Sequence, residues 1–374
     1  MFSLVFKTGI PIPFRAARKD NKMKNVGSKI GLRPGSIKSR ILLVAVAFFI
    51  VLNISNVFAD AVLEKELVVN HGDDVYHYDI YMPDGVSGEV SLVLSLHGLQ
   101  SSKEDMLDGE APPKYEVPYE YKRGDGTKIL ADERARSKDK FIVAYINGWE
   151  NWRGNPSFNG MDCCYPAHLR KVDTLGAIED IIVAITDRFT YENRGSNGFY
   201  INPKKIFATG ISNGGSMAHK LACYGSRYIA AIWTVSFPLS LKDEDQECTP
   251  DRSVPVIMWH NDGDAIIPYY SNAKYYSADE GFEAWRNINK CNGDLIEVEP
   301  GPGCRKGEAC NPTSYKAYEN CEGGTFVKLY TVKSVEGQQK NLHALYPYFQ
   351  DIAEQSWNQL KDFTSPGTLP SVSE

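Results

Sequence analysis

The sequence predicts an α/β fold: one mostly parallel sheet with helices on both faces. Two observations predict it. Short apolar runs of strand length alternate with amphipathic stretches of helix length. Several of those runs are continuously apolar and end at a glycine or a polar turn, as strands buried on both faces do. A third bears on organisation. The chain has 374 residues, 43% hydrophobic and 24% charged, enough for a large core. No repeat or low-complexity linker divides it, so one domain with insertions is the simplest account.

In chain order, "LEKELVVN" (63–70) and "VYHYDIYMP" (75–83) alternate apolar and polar residues and read as an antiparallel pair. "VSLVLSLHG" (90–98) reads as a buried parallel strand. Residues 106–128 are polar and tyrosine-rich (Tyr115, Tyr119, Tyr121) and read as an inserted surface loop. "KILADERARSKD" (128–139) reads as a helix and "KFIVAYING" (140–148) as the next strand. Between 173 and 189, Leu175, Ile178, Ile182, Ile185 and Phe189 form one helical face, with Asp173 as N-cap. Strands follow at "KKIFATG" (204–210), "AAIWTVS" (230–236), "VPVIMWHNDGD" (254–264) and "TFVKLYTVKS" (325–334). Helices are expected from the end of 204–210 to about Tyr224, over 281–291, and from about His343 to Phe363. Residues 364–374 are expected to be a disordered tail.

Residues 1–59 differ from the rest. They carry ten Lys/Arg and one acid, then an uncharged stretch from Ile41 to Ala59. Its purely apolar part, Ile41 to Leu52, suits a signal-peptide core better than a membrane span of about 20 residues. Val57 and Ala59 supply small residues before a cleavage point at Asp60. Met23 as the true start would give a leader of ordinary length; an uncleaved anchor is the competing reading. The expected layout is therefore a signal peptide over 1–59, a single catalytic domain over 60–363 and the tail. Export to a secreted or periplasmic location follows, with no stable membrane partner once the leader is cut. The remainder holds 31 Lys/Arg against 46 Asp/Glu, a net charge of −15. A body this acidic repels phosphate backbones, which excludes nucleic acid as a partner.

All eight cysteines lie in the exported part, an even number that suits up to four disulfides. No C-x-x-C pair occurs, so no metal site is expected. Four cysteines fall between Cys291 and Cys321 in a Gly/Pro-rich stretch that reads as a stapled loop region rather than core.

The chemistry centres on Gly210-Ile211-Ser212-Asn213-Gly214, a G-x-S-x-G between a strand and a helix. That is a nucleophile elbow. A serine on so tight a turn needs neighbours two residues away with almost no side chain. The helix behind it offers free N–H groups and a partial positive charge, and Asn213 N–H can face an oxyanion. A serine nucleophile needs a base, and the base an orienting carboxylate. On such folds the order is Ser, Asp/Glu, His. Only His343 lies downstream of both the serine and the candidate acids, Asp262 and Asp264. Position within the loop favours Asp264. The second oxyanion donor is expected just after His97-Gly98, at the N–H of Leu99, and His97 reads as structural. Trp149, Trp152 and Phe158 follow a strand at the expected site edge; they suit stacking on an acyl group or sugar, or core packing.

With these residues in hand, the chain resembles the secreted α/β-hydrolase esterases grouped with polyhydroxybutyrate depolymerases and feruloyl or acetyl-xylan esterases. The matching pieces lie between about 90 and 350. They include "LHG" (96–98), "FIVAYINGW" (141–149), "CC" (163–164), "VPVIMWHNDGDAIIP" (254–268), "FEAWRNINKC" (282–291) and "LHALYP" (342–347). "INPKKIFATGISNGGSMAHKLAC" (201–223) is the most specific. The resemblance implies a triad of Ser212, Asp264 and His343, no cofactor, and an ester substrate, small or polymeric. It also implies disulfide positions at Cys163 or Cys164 and at Cys223. Two departures sit beside the expected cleft: "HGLQSSKED" where the family is glycine-rich, and "VEGQQKNLHALYP", which lacks the glycine-rich lead and the tryptophan-proline. They bear on which ester is taken. A peptidase or thioesterase on the same fold, or a non-catalytic binding protein, are the rival readings.

Overall fold

The computed structural model describes residues 61–108, 124–150, 154, 156–243, 245–270, 272–298, 314–334, 343, 345 and 349–371. The proposed leader, the three insertion tyrosines, Trp152, Cys304 and Cys310 lie outside them.

The strands are β1 (Val62–His71), β2 (Asp74–Met82), β3 (Gly88–Leu96), β4 (Phe141–Ile146), β5 (Trp149–Glu150), β6 (Pro156–Ser157), β7 (Phe199–Ile211), β8 (Ile229–Val235), β9 (Val256–Asn261), β10 (Ile296–Val298), β11 (Ser314–Tyr318) and β12 (Val327–Val332). The helices are α1 (Lys103–Asp108), α2 (Thr127–Arg134), α3 (Thr174–Arg188), α4 (Arg194–Asn197), α5 (Asn213–Tyr224), α6 (Ala278–Ile288) and α7 (Phe349–Leu360). Ten strands form one sheet in the order β1-β2-β4-β3-β7-β8-β9-β12-β11-β10. Its centre, β4 to β12, is parallel. Antiparallel strands flank it on both sides. β5 and β6 pair separately.

The alternation of strand side chains explains the layers. Leu92, Leu94 and Leu96 of β3 point to one face with Ile178 and Ile182 of α3, Ala218 of α5 and Phe282 of α6. Val93 points to the other, with Leu130 of α2 and Trp357 of α7. Helices therefore cover both faces, as predicted. The Asp173 cap forms as expected: its Oδ1 accepts the Gly176 N–H at 2.9 Å. A capping box starts α6, where Ser277 and Glu280 exchange side-chain and backbone bonds.

Four expectations are corrected. The 291–321 stretch is not only loop: β10 and β11 extend the sheet there. β10 is too short to show a period, and its three residues are all exposed. The ends of the 106–128 insertion are core rather than surface. Met106 and Leu107 are buried, and Asp125 N–H bonds to the Met106 carbonyl at 2.8 Å, pinching the insertion shut. The last helix begins at Phe349, so His343 precedes it on a turn. Finally, the tail over 364–371 is docked. Ser365 N–H donates to Lys204 O, Gly367 and Thr368 N–H donate to Arg227 O, and the Ser365 hydroxyl donates to Tyr228 O. Local composition looks disordered, but these bonds satisfy the backbone. Three disulfides join described cysteines: Cys163–Cys164, Cys223–Cys248 and Cys291–Cys321.

Truncation after Phe363 should lower stability by about 2 kcal/mol, since several backbone hydrogen bonds are worth roughly 1 kcal/mol each before entropy is recovered. Urea unfolding of the full and truncated chains measures it; equal midpoints would mean the tail contributes nothing.

Candidate active site

The strand order reverses between β3 and β7, because β4 lies on the other side of β3. Chains leaving adjacent strands in opposite directions open a crevice at their carboxyl ends, where ligands of open α/β sheets bind. Ser212 directly follows β7 and His97-Gly98-Leu99 directly follows β3. Register pairs Leu96 with Gly210. The two loops therefore meet, and a Cβ on Gly98 would lie 3.7 Å from Ser212 Cβ.

The elbow is sterically forced. Ser212 has φ 53° and ψ −115°, outside the ordinary L-residue regions. A Cβ on Gly214 would meet the Leu96 and His97 carbonyl oxygens, and one on Gly210 the Gly214 backbone, all inside 3.0 Å. Ser212 N–H is held by the Val235 carbonyl of β8 at 2.9 Å. Asn213, the first residue of α5, has no carbonyl a turn earlier to bond, so its N–H is available to an oxyanion. Its side chain does something the sequence did not reveal. Asn213 Oδ1 accepts Phe158 N–H at 2.7 Å, and Nδ2 donates to Phe158 O at 2.9 Å. Ser216 Oγ donates to Met161 O at 2.7 Å. The 157–164 segment is thereby docked on the elbow helix.

The β3 loop is braced at both ends. His97 is buried; its Nδ1–H donates to Gly98 O at 2.7 Å and its Nε2 accepts Gly148 N–H at 2.9 Å. Burial pushes its pKa down to about 4, so it stays neutral and structural, as expected. At the other end Lys103 is buried, with its ammonium 2.8 Å from Glu66 Oε1 and 3.0 Å from the fully buried Asp79 Oδ1, and bonded to Glu104. Burial opposes its charge, but these carboxylates win and hold its pKa above the lysine norm. Nothing in the sequence links Lys103 to β1 and β2; only the sheet does. Leu99 is 40% exposed on this loop.

After β9, Asp264 is buried. Its Oδ1 accepts Ile266 and Ile267 N–H at 2.8 and 3.0 Å. Its Oδ2 accepts His343 Nδ1–H at 2.7 Å. Burial alone would raise its pKa, but bonds from His260 and His343 outweigh it and hold the carboxyl far below the usual range. Asp262 is occupied elsewhere: its Oδ1 accepts Ser334 N–H at 2.7 Å. With Oδ2 fixing Nδ1–H, His343 Nε2 is left as the basic nitrogen. His219 is buried and structural. It accepts Trp285 Nε1–H at Nδ1 (3.0 Å), and burial pushes its pKa down to about 3.

The aromatic cluster divides. Phe158 is fully buried with its ring 4.7 Å from that of His97, so it is packing. Trp149 is half-buried at the start of β5, with the Arg170 guanidinium 5.4 Å over its ring. Among the described residues no cluster of three or more His, Cys, Asp or Glu side chains could hold a metal.

Sheet order and elbow together define an α/β-hydrolase fold. No protein-family model matches the chain. Among curated proteins it is similar to feruloyl esterase B of Piromyces equi, 25% identical over 243 residues. That match covers 62% of this chain but only 38% of the relative, so the chain spans less than two fifths of that protein's length. Solved structures to which the chain is similar include an acetyl xylan esterase of Aspergillus awamori (15% identity, 73% of this chain and 93% of that one, TM-score 0.44). A ferulic acid esterase of Anaeromyces mucronatus, solved with ferulic acid, is another (13% identity, 84% and 94%, TM-score 0.42).

Because Asp264 titrates below its unfolded value, its interactions stabilise the fold above about pH 4 and are lost as pH falls toward the depressed folded value. Asp264→Asn should therefore be clearly less stable than wild type at pH 7, with the gap closing toward about pH 3. Urea unfolding of both at each pH checks this; a gap that widens on acidification would contradict it.

Proposed function

We propose that the chain is a serine carboxylic ester hydrolase working through an acyl-enzyme. The observations that carry the reading are the 2.7 Å bond from His343 Nδ1 to the buried Asp264 and the strained serine at the head of α5. Ser212 Oγ attacks the ester carbonyl while His343 Nε2 takes its proton. The tetrahedral oxyanion sits between the N–H groups of Leu99 and Asn213, each worth roughly 3 kcal/mol in the transition state. His343 then protonates the leaving alcohol, and Asp264 keeps the imidazolium oriented and charge-balanced. Water, activated by the same imidazole, releases the acid and frees Ser212. No metal or organic cofactor enters these steps.

The substrate class we assign is a feruloyl or acetyl ester of a sugar or polysaccharide, or a short hydroxyalkanoate polyester. The feruloyl esterase relative supports the first. Trp149, at the start of β5, and Trp152, three residues further in the sequence, are assigned to the acyl or sugar side. We assign the protein to the cell exterior or periplasm. Three disulfides among the described cysteines support this. No helix among the described residues is long and apolar enough to cross a membrane.

Matched ester, amide and thioester substrates, with feruloyl, acetyl and 3-hydroxybutyryl groups, test the reading. The ester should turn over fastest, and Ser212→Ala should lose at least about 10³-fold in kcat/KM. Preferred amide or thioester cleavage would move the chain to the rival classes; full activity in Ser212→Ala would remove the mechanism.

A further inference from the structure

Two imidazoles share one carboxylate oxygen. Asp264 Oδ2 lies 2.7 Å from His343 Nδ1 and 3.3 Å from His260 Nε2. The same His260 nitrogen is 2.8 Å from the Ile267 carbonyl oxygen. A carbonyl only accepts, so that nitrogen carries a proton donated to Ile267 O, with Asp264 Oδ2 beside it at 3.3 Å. The Ile267 peptide closes a ring, since its own N–H donates to Asp264 Oδ1 at 3.0 Å. His260 is the penultimate residue of β9 and is 1% exposed, out of reach of any substrate.

We propose that His260 is a positioning residue for the Asp264–His343 pair: its N–H fixes the Asp264 carboxylate and draws off part of the charge His343 would otherwise feel. The inference rests on the roles proposed for Asp264 and His343. Each donor to a carboxylate weakens its hold on the next, so deleting the His260 N–H should strengthen the bond between Asp264 and His343 Nδ1–H. A base with lower proton affinity stays neutral, and competent, to lower pH. The other titratable groups around the pair are already engaged. Asp262 accepts from Ser334 N–H. Tyr269 stands edge-on to the His260 ring at 5.6 Å, its hydroxyl 2.9 Å from Thr331 Oγ1. Asp279 and Lys316 act on Tyr269 from α6 and β11. A histidine that only filled space would shape the loop without touching the charge on Asp264.

NMR titration of the His343 imidazole in the full chain separates the two and needs no substrate. His260→Phe keeps a ring and deletes the donor; His260→Gln keeps an N–H near the position of Nε2. We expect His343 to bind its proton about threefold or more tightly in His260→Phe, and close to wild type in His260→Gln. The acid limb of kcat/KM should move to higher pH in step. An unmoved or lowered His343 midpoint in folded His260→Phe overturns the inference. If that variant does not fold, His260→Asn, whose shorter amide falls short of Asp264, replaces it with the same two outcomes. A wild type that hydrolyses no ester would sink the proposed function, while the titration would still decide the role of His260.

Discussion

One steric constraint organises this protein: the chain must pass from β7 into α5 within a single residue, hard against the end of β3. Leu96 and His97 carbonyls occupy the space that side chains at Gly214 would need, and the Gly214 backbone occupies that of Gly210. Ser212 stands midway between them, in a backbone conformation costing of order 1–3 kcal/mol. The turn persists because its surroundings over-determine it. Val235 holds its N–H, Asn213 ties it to Phe158, and β3 closes it from the other side.

The loops facing this turn are fixed by charge and hydrogen bonding rather than by apolar packing alone. The β3 loop is tied down by neutral His97 at one end and by buried Lys103 among three carboxylates at the other. The loop after β9 is drawn around Asp264, which accepts two backbone N–H groups and the His343 imidazole, with His260 close by. Polar groups buried this deeply are tolerable only when paired. Pairing of this kind also holds reacting groups in one geometry, which an oxyanion site and a proton-transferring histidine both require.

Much of this was legible in the sequence where a local rule carries it. The glycines flanking Ser212 follow from steric necessity, and the alternating and continuous apolar runs gave β1 to β4, β7 to β9 and β12. Chain order singled out His343, and position in the loop favoured Asp264; the separate engagement of Asp262 by Ser334 is visible only once β9 and β12 lie side by side. Other features have no local signature. Lys103 finds Glu66 and Asp79 across the sheet. His260 precedes the acid in the chain, yet a loop that folds back brings Asp264 Oδ2 within 3.3 Å of its Nε2. β10 is too short and too exposed to show a period. The tail reads as disordered by composition but finds acceptors on residues 204, 227 and 228.

The central claim is that Ser212, made nucleophilic by the Asp264–His343 pair, is the residue that accepts the acyl group. Covalent labelling with a fluorophosphonate, followed by peptide mass spectrometry, tests it most directly. The account predicts a single stoichiometric adduct on Ser212, greatly slowed in His343→Ala. An adduct on another residue, or labelling that ignores the loss of His343, would contradict it.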